Sequence, residues 1–133
     1  MILMIEDEPE YTISYKDELE LSGYEVAFVR DVDAALDFLR EHREEIELVI
    51  LDIMMSPGRA LADVDTQNGL RTGVHLFDLI RQEAPKLPIL ILTNVSDERV
   101  AAHFRRQENC RFLRKEDYLP FELVDEVNDI RRR

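Results

Sequence analysis

Four places in the chain carry side chains suited to chemistry directly after a short apolar run. Glu6-Asp7-Glu8 follows Ile2–Ile5, Asp52 follows Ile46–Leu51, Thr93 follows Ile89–Leu92, and Lys115 follows Cys110–Arg114. Each has an ordinary explanation by itself. The acids before Pro9 suit the first turn of a helix, Asp52 and Thr93-Asn94 suit turns after strands, and Lys115 suits a surface. Together they have the residue types that one reaction needs. Carboxylates packed side by side raise the pKa of at least one of them unless a cation neutralises the group. Oxygen ligands with no His or Cys nearby favour magnesium or a similar hard ion over zinc. An ion held by one or two carboxylates is poised to take phosphate oxygens, with Asp52 as a nucleophile giving an aspartyl phosphate. Lys115 would add a positive charge and Thr93 a hydrogen bond to the transferred group.

The four places converge only if the elements before them are parallel strands of one sheet, because residues just past parallel strands share an edge. The pattern predicts this arrangement. Short apolar runs alternate with helical periodicity five times, as expected of a doubly wound α/β fold. Strands are predicted at Ile2–Ile5, Tyr24–Phe28, Ile46–Leu51, Ile89–Leu92 and Cys110–Arg114. The first helix runs from Pro9 to Ser22 with Gly23 at its C-terminal cap, and the second spans Val32–Glu41 with Asp31 as N-cap. A third spans Gly73–Ala84, ended by Pro85 and Pro88. A fourth opens at Ser96 as N-cap and reaches about Gln107, and Pro120–Arg131 closes the chain.

The chain has 133 residues, 45% of them hydrophobic, which predicts one domain over 1–133. The net charge of −12 disfavours direct binding to nucleic acid or to an anionic membrane. The acidity lies in the first three quarters, because residues 99–133 hold 9 Lys/Arg against 7 Asp/Glu. A lone cysteine, Cys110, needs no oxidising compartment and reads as a small core residue. The apolar start, Met1–Ile5, is too short for a signal peptide or a span, so a cytoplasmic location is expected.

The stretches Met4–Pro9, Leu48–Met54, Ile89–Thr93 and Phe112–Lys115 resemble the response-regulator receiver family over nearly the whole chain. The resemblance implies a flavodoxin-like sheet of strand order 2-1-3-4-5, and the length leaves no residues for an output domain, so the stand-alone form is expected. It makes Asp52 the phospho-acceptor. Mg2+ would be bound by Asp7, Asp52 and the Met54 backbone carbonyl, with Glu6 behind it or acting through water. Thr93 and Lys115 become phosphoryl-stabilising groups, and Phe112 becomes the aromatic partner of a Thr93 switch. The implied donor is a histidine kinase or a phosphotransfer protein, and the output is a changed surface for a protein effector. The chain would be a monomer or a phosphorylation-dependent dimer, and no enzyme beyond accepting and losing its own phosphoryl group.

Three departures set this chain apart from the family pattern. Glu116 stands where a proline with a cis peptide bond is usual, so a different loop path after Lys115 is expected. Asn94 stands where a small residue is usual, which predicts slow transfer or slow hydrolysis. The 20 residues from Ile53 to Thr72 form an insertion that begins beside Asp52, and such long connections often bind or cover something. Arg59, Asp63, Asp65 and Arg71 within it are candidates to touch the metal, the phosphoryl group or a partner, against the plainer reading of a mobile surface loop. The basic residues Arg99, Arg105, Arg106, Arg111 and Arg114 read as a solvated face or, more sharply, a docking face for an acidic partner. Arg131-Arg132-Arg133 suits a helix C-terminus.

Other functions remain open on the sequence. A pseudo-receiver would bind a protein partner constitutively without phosphorylation. A flavin protein of the same fold fits poorly with acids after the first strand. A phosphohydrolase with an aspartate nucleophile would want an acid where Met54 stands.

Overall fold

The computed structural model describes residues 1–69 and 71–132; Leu70, inside the insertion, and Arg133, in the closing arginine run, lie outside the described residues. Five parallel strands form one sheet in the order β2-β1-β3-β4-β5: β1 is Ile2–Ile5, β2 Val26–Val29, β3 Leu48–Leu51, β4 Ile89–Thr93 and β5 Cys110–Arg114. The five helices between and after them are α1 (Ile13–Leu21), α2 (Val32–Glu41), α3 (Thr72–Glu83), α4 (Glu98–Arg105) and α5 (Pro120–Arg131).

Alternation along the strands divides the core into two layers. Leu3, Ile5, Val49, Leu51, Ile89 and Ile91 pack with Val32, Leu36 and Leu39 of α2, Leu76, Phe77 and Ile80 of α3, and Val100 and Phe104 of α4. Ile2, Met4, Leu48, Ile50, Leu90 and Leu92 pack with Tyr15 and Leu19 of α1 and Leu123, Val127 and Ile130 of α5. Both faces of β1, β3 and β4 are therefore buried, which explains why these strands read as continuous apolar runs.

Several boundaries differ from the sequence reading. Pro9–Tyr11 is a separate 3₁₀ turn, and α1 begins only at Ile13 because Thr12 between them has φ −129°. Tyr24 is drawn into the end of α1, where its N–H donates to Leu19 O past Gly23 at φ +97°, so β2 starts at Val26. The third strand starts at Leu48, since Ile46 N–H still donates back to His42 O. The N-cap of α4 is Asp97, whose carboxylate accepts from Arg99 N–H at 2.8 Å, in place of Ser96, and the helix ends at Arg105.

The inserted stretch packs onto the body of the domain through both side chains and backbone. Met55 and Leu61 are buried in the layer under α2, α3 and α4. Asp33 at the start of α2 accepts from Arg59 N–H and Ala60 N–H, each at 2.9 Å. Met55 N–H donates to Gly69 O at 3.0 Å, and the Thr72 hydroxyl donates to Met55 O. Arg71 reaches Asp97 at the mouth of α4, 2.9 Å away. No helix among the described residues is long and apolar enough to cross a membrane.

Candidate functional site

Because the strands are parallel, Ile5, Leu51 and Thr93 end at one edge, and a cleft of about 420 Å³ opens there. It is lined by Glu6, Asp7, Glu8, Asp52, Met54, Asn94 and Lys115 from the ends of β1, β3, β4 and β5. Asp52 follows β3 directly, and one of its carboxylate oxygens accepts from Ile53 N–H at 2.7 Å. The other oxygen faces the Lys115 ammonium at 3.3 Å. Lys115 also donates to Glu6. The three side chains are only 3–10% exposed, so this is a desolvated triad of two acids and one base.

The electrostatics follow from that crowding. Burial first, and then the neighbouring Asp52, push the Glu6 carboxyl up to about 8, with Lys115 pulling in the opposite direction. Asp7 is raised for the same reasons, burial and the charge of Asp52. Burial opposes the Lys115 ammonium, yet Asp52 and Glu6 outweigh it and raise its pKa. The cluster holds excess negative charge and favours a proton or a cation.

The oxygen-only donor set fits a hard cation. Asp7, Asp52 and Met54 line the cleft together, whereas Glu6 is turned to Lys115. No three His, Cys, Asp or Glu side chains among the described residues gather into a metal cage. Magnesium sites of this chemistry take one or two carboxylates and keep water or phosphate as the other ligands.

The remaining expected residues lie elsewhere. Thr93 is fully buried at the end of β4 and does not line the cleft; its hydroxyl accepts from Val95 N–H at 3.2 Å. Phe112 lies on β5 against α4, stacked on Phe104 with ring centroids 6.1 Å apart and capped by the Arg105 guanidinium at 5.9 Å.

Beyond Met54, the insertion contributes to the cleft through residues that the sequence reading did not select. Ser56, Pro57, Asn68 and Gly69 line it; Arg59, Asp63, Asp65 and Arg71 do not. Arg59 pairs with Asp33, Asp65 accepts from Gln67 N–H, and Arg71 bonds Gln67 and Asp97. Length alone flagged the segment; which residues face inward depends on the left-handed turn at Gln67, Asn68 and Gly69, with φ of 54°, 59° and 87°. The Asn-Gly pair was the available signal.

Most of the basic cluster is engaged internally. Arg111 pairs with Glu126 and Asp129 of α5, and Arg105 and Arg114 share Glu98. This favours the plainer reading of the cluster over a free basic docking face.

Comparison with known proteins agrees with the fold. Residues 2–127 match the family model of the response regulator receiver domain. Response regulator protein FleR of Pseudomonas aeruginosa is 33% identical across 91% of this chain and 22% of its own length. Transcriptional regulatory protein CpxR of Escherichia coli is 30% identical across 99% of this chain and 49% of its own length. The chain thus spans less than half of these curated relatives. Among solved structures, a response regulator receiver domain protein from Clostridium thermocellum superposes with a TM-score of 0.79 at 24% identity, covering 98% of this chain and 93% of that one. The receiver domain of NtrX from Brucella abortus gives 0.77 at 22%, covering 99% and 98%. These two likenesses bear on the fold, and the family match bears on kinship. The chain belongs to the response regulator receiver domain family of two-component systems.

Proposed function

We propose that Asp52 accepts a phosphoryl group from a phosphohistidine on a histidine kinase or phosphotransfer protein, and that the product presents a changed surface to a protein effector. The observation that carries this reading is Asp52 held 3.3 Å from Lys115 in a desolvated cleft that also contains Asp7 and Met54. A carboxylate oxygen of Asp52 attacks phosphorus, the donor P–N bond breaks, and the imidazole leaves with its electron pair and takes up a proton. Lys115 then faces the phosphoryl oxygens as well as the acids, lowering the cost of the added negative charge. Mg2+ bound by Asp7, Asp52 and the Met54 carbonyl, with Glu6 behind them or acting through water, would supply the further positive charge that the phosphoryl oxygens require.

Thr93 reports the change. Its hydroxyl now bonds its own loop at Val95, and turning it toward the phosphoryl group would release that loop and the α4 segment over Phe112. The chain turns over no external substrate in this reading and works in the cytoplasm.

The test is intact-protein mass after incubation with acetyl phosphate and magnesium. A phosphoryl adduct is expected in wild type, absent with a chelator and absent in Asp52→Asn. No adduct under any condition overturns the reading and leaves constitutive partner binding as the alternative.

A further inference from the structure

Lys115 begins a short 3₁₀ turn, Lys115–Asp117, and nothing local makes that turn firm. It has no side-chain cap, and its closing bond from Tyr118 N–H to Lys115 O is long at 3.4 Å. Glu116 and Asp117 are exposed. Isolated 3₁₀ turns have poor hydrogen-bond geometry and hold their shape only with outside help. No peptide bond among the described residues is cis, the one after Lys115 included.

The outside help comes from α1, a hundred residues earlier. The Tyr15 hydroxyl lies 2.7 Å from Tyr118 O and 3.1 Å from Lys115 O. A phenol has one proton, so it donates to the nearer Tyr118 carbonyl or shares that proton with Lys115 O. Tyr15 is only 7% exposed, and its ring packs in the layer that holds Leu19, Leu123 and Val124 between α1 and α5. A buried ring with a polar tip has few ways to move, which makes it a firm anchor. Burial raises the Tyr15 pKa, so the phenol stays protonated and able to donate at neutral pH.

We propose that Tyr15 is a positioning residue for Lys115: its hydroxyl clasps both ends of the Lys115–Tyr118 turn and thereby fixes where the lysine backbone starts on its way to Asp52 and Glu6. The proposal rests on the reading of Asp52 as acceptor and Lys115 as its stabilising cation. Glu6 and Asp52 hold the ammonium end of the side chain, and Tyr15 holds the backbone end. With both ends fixed, a flexible four-carbon chain is restricted to one working position.

The test is a cycle of Tyr15→Phe and Lys115→Met, singly and together, read by the rate of adduct formation from acetyl phosphate and magnesium. Tyr15→Phe keeps the packed ring, so its melting point is expected within a few degrees of wild type. It should slow phosphorylation by about five- to tenfold, the scale of one net hydrogen bond. In the Lys115→Met background it should have no further effect. The same slowing in both backgrounds, or none in either, overturns the proposal.

A second readout separates this from the acceptor reading. The Lys115 ammonium, buried and paired, should give a slowly exchanging 15Nζ signal, assigned by its loss in Lys115→Met, that disappears in Tyr15→Phe. If wild type forms no adduct, the acceptor reading fails, and this signal alone decides the role of Tyr15: an unchanged spectrum refutes it.

Discussion

Replacing Gly73 by alanine tests how Asp52, the proposed acceptor, is held. Gly73 lies in the first turn of α3, where its N–H donates to Ile53 O at 2.7 Å. A methyl group added there would meet both Asp52 O and Ile53 Cα at 2.4 Å, whereas ordinary contact begins at 3.4 Å. Backbone occupies both directions, so α3 or the Asp52–Ile53 peptide must move by about 1 Å. Overpacking of this kind costs about 1–3 kcal/mol, and alanine returns less than about 1 kcal/mol of helix propensity this close to the helix start. A net loss of about 2 kcal/mol corresponds, at roughly 4 °C per kcal/mol for a chain of this length, to a melting point about 8 °C lower. The same displacement carries the Asp52 carboxylate away from Lys115. A misplacement of about 1 Å can cost on the order of 100-fold in rate, so Gly73→Ala should phosphorylate about 100-fold more slowly from acetyl phosphate. Calorimetry and intact mass on one preparation read both effects. Wild-type melting with wild-type phosphorylation would refute the close approach itself; lower melting with an unchanged rate would show that α3 yields and the acceptor does not.

Three further outcomes are expected. Arg81 donates to Leu87 O, Glu108 O and Asn109 O, tying the end of α3 to the entries of β4 and β5, and Arg81→Met should lower stability by about 2–4 kcal/mol in urea denaturation. Burial pushes the Cys110 thiol up to about 12, so iodoacetamide at pH 8 should modify it only after denaturation. Because the unfolded thiol ionises near 9.0 while the folded one keeps its proton, its contribution to stability is complete below that pH and is lost as pH rises toward about 12. Two insertion N–H groups hold Asp33 below the usual carboxylate range, so its contribution is present at neutral pH and lost as pH falls through the lowered value. Protection factors for hydrogen exchange at Arg59 and Ala60 should fall in acid and, at neutral pH, in Asp33→Ala; unchanged protection in that variant would count against this anchor.

The sheet was legible in the sequence because its strands carry two apolar faces and each ends at a polar residue: Ile5 before Glu6, Leu51 before Asp52. Parallel topology then places those polar residues together without any knowledge of side-chain direction, which is why Glu6, Asp7, Asp52 and Lys115 could be grouped in advance. What the pattern missed depends on contacts distant in sequence. Tyr15 looks like one more apolar position of α1, and nothing near it signals a bond to residues 115 and 118. The insertion showed its length, but Leu61 and Met55 have no period that reveals their burial, and Asp33 looks like an ordinary first-turn acid until Arg59 and Ala60 arrive beside it. The Thr93 hydroxyl was placed with the other site residues by strand position; its present bond to Val95 is a matter of rotamer, which sequence periodicity does not encode.

Asp97 and Glu98 are neighbours in the chain but are tied to different parts of the molecule: Asp97 to Arg71 of the insertion, Glu98 to Arg114 of β5. In the proposed switch, a β4–α4 loop that leaves its present place loads or breaks both ties, so the insertion and the sheet edge act as two tethers on a single hinge. The tethers are ionic and in contact with solvent, and dissolved ions weaken them while leaving the apolar layer under α4 almost untouched. The resting conformation should therefore become easier to leave as potassium chloride is added, with no loss of fold, which NMR shifts of Val95 and Ser96 measured across a salt titration would show. An ionic strength that varies would then act on this domain as an input in its own right.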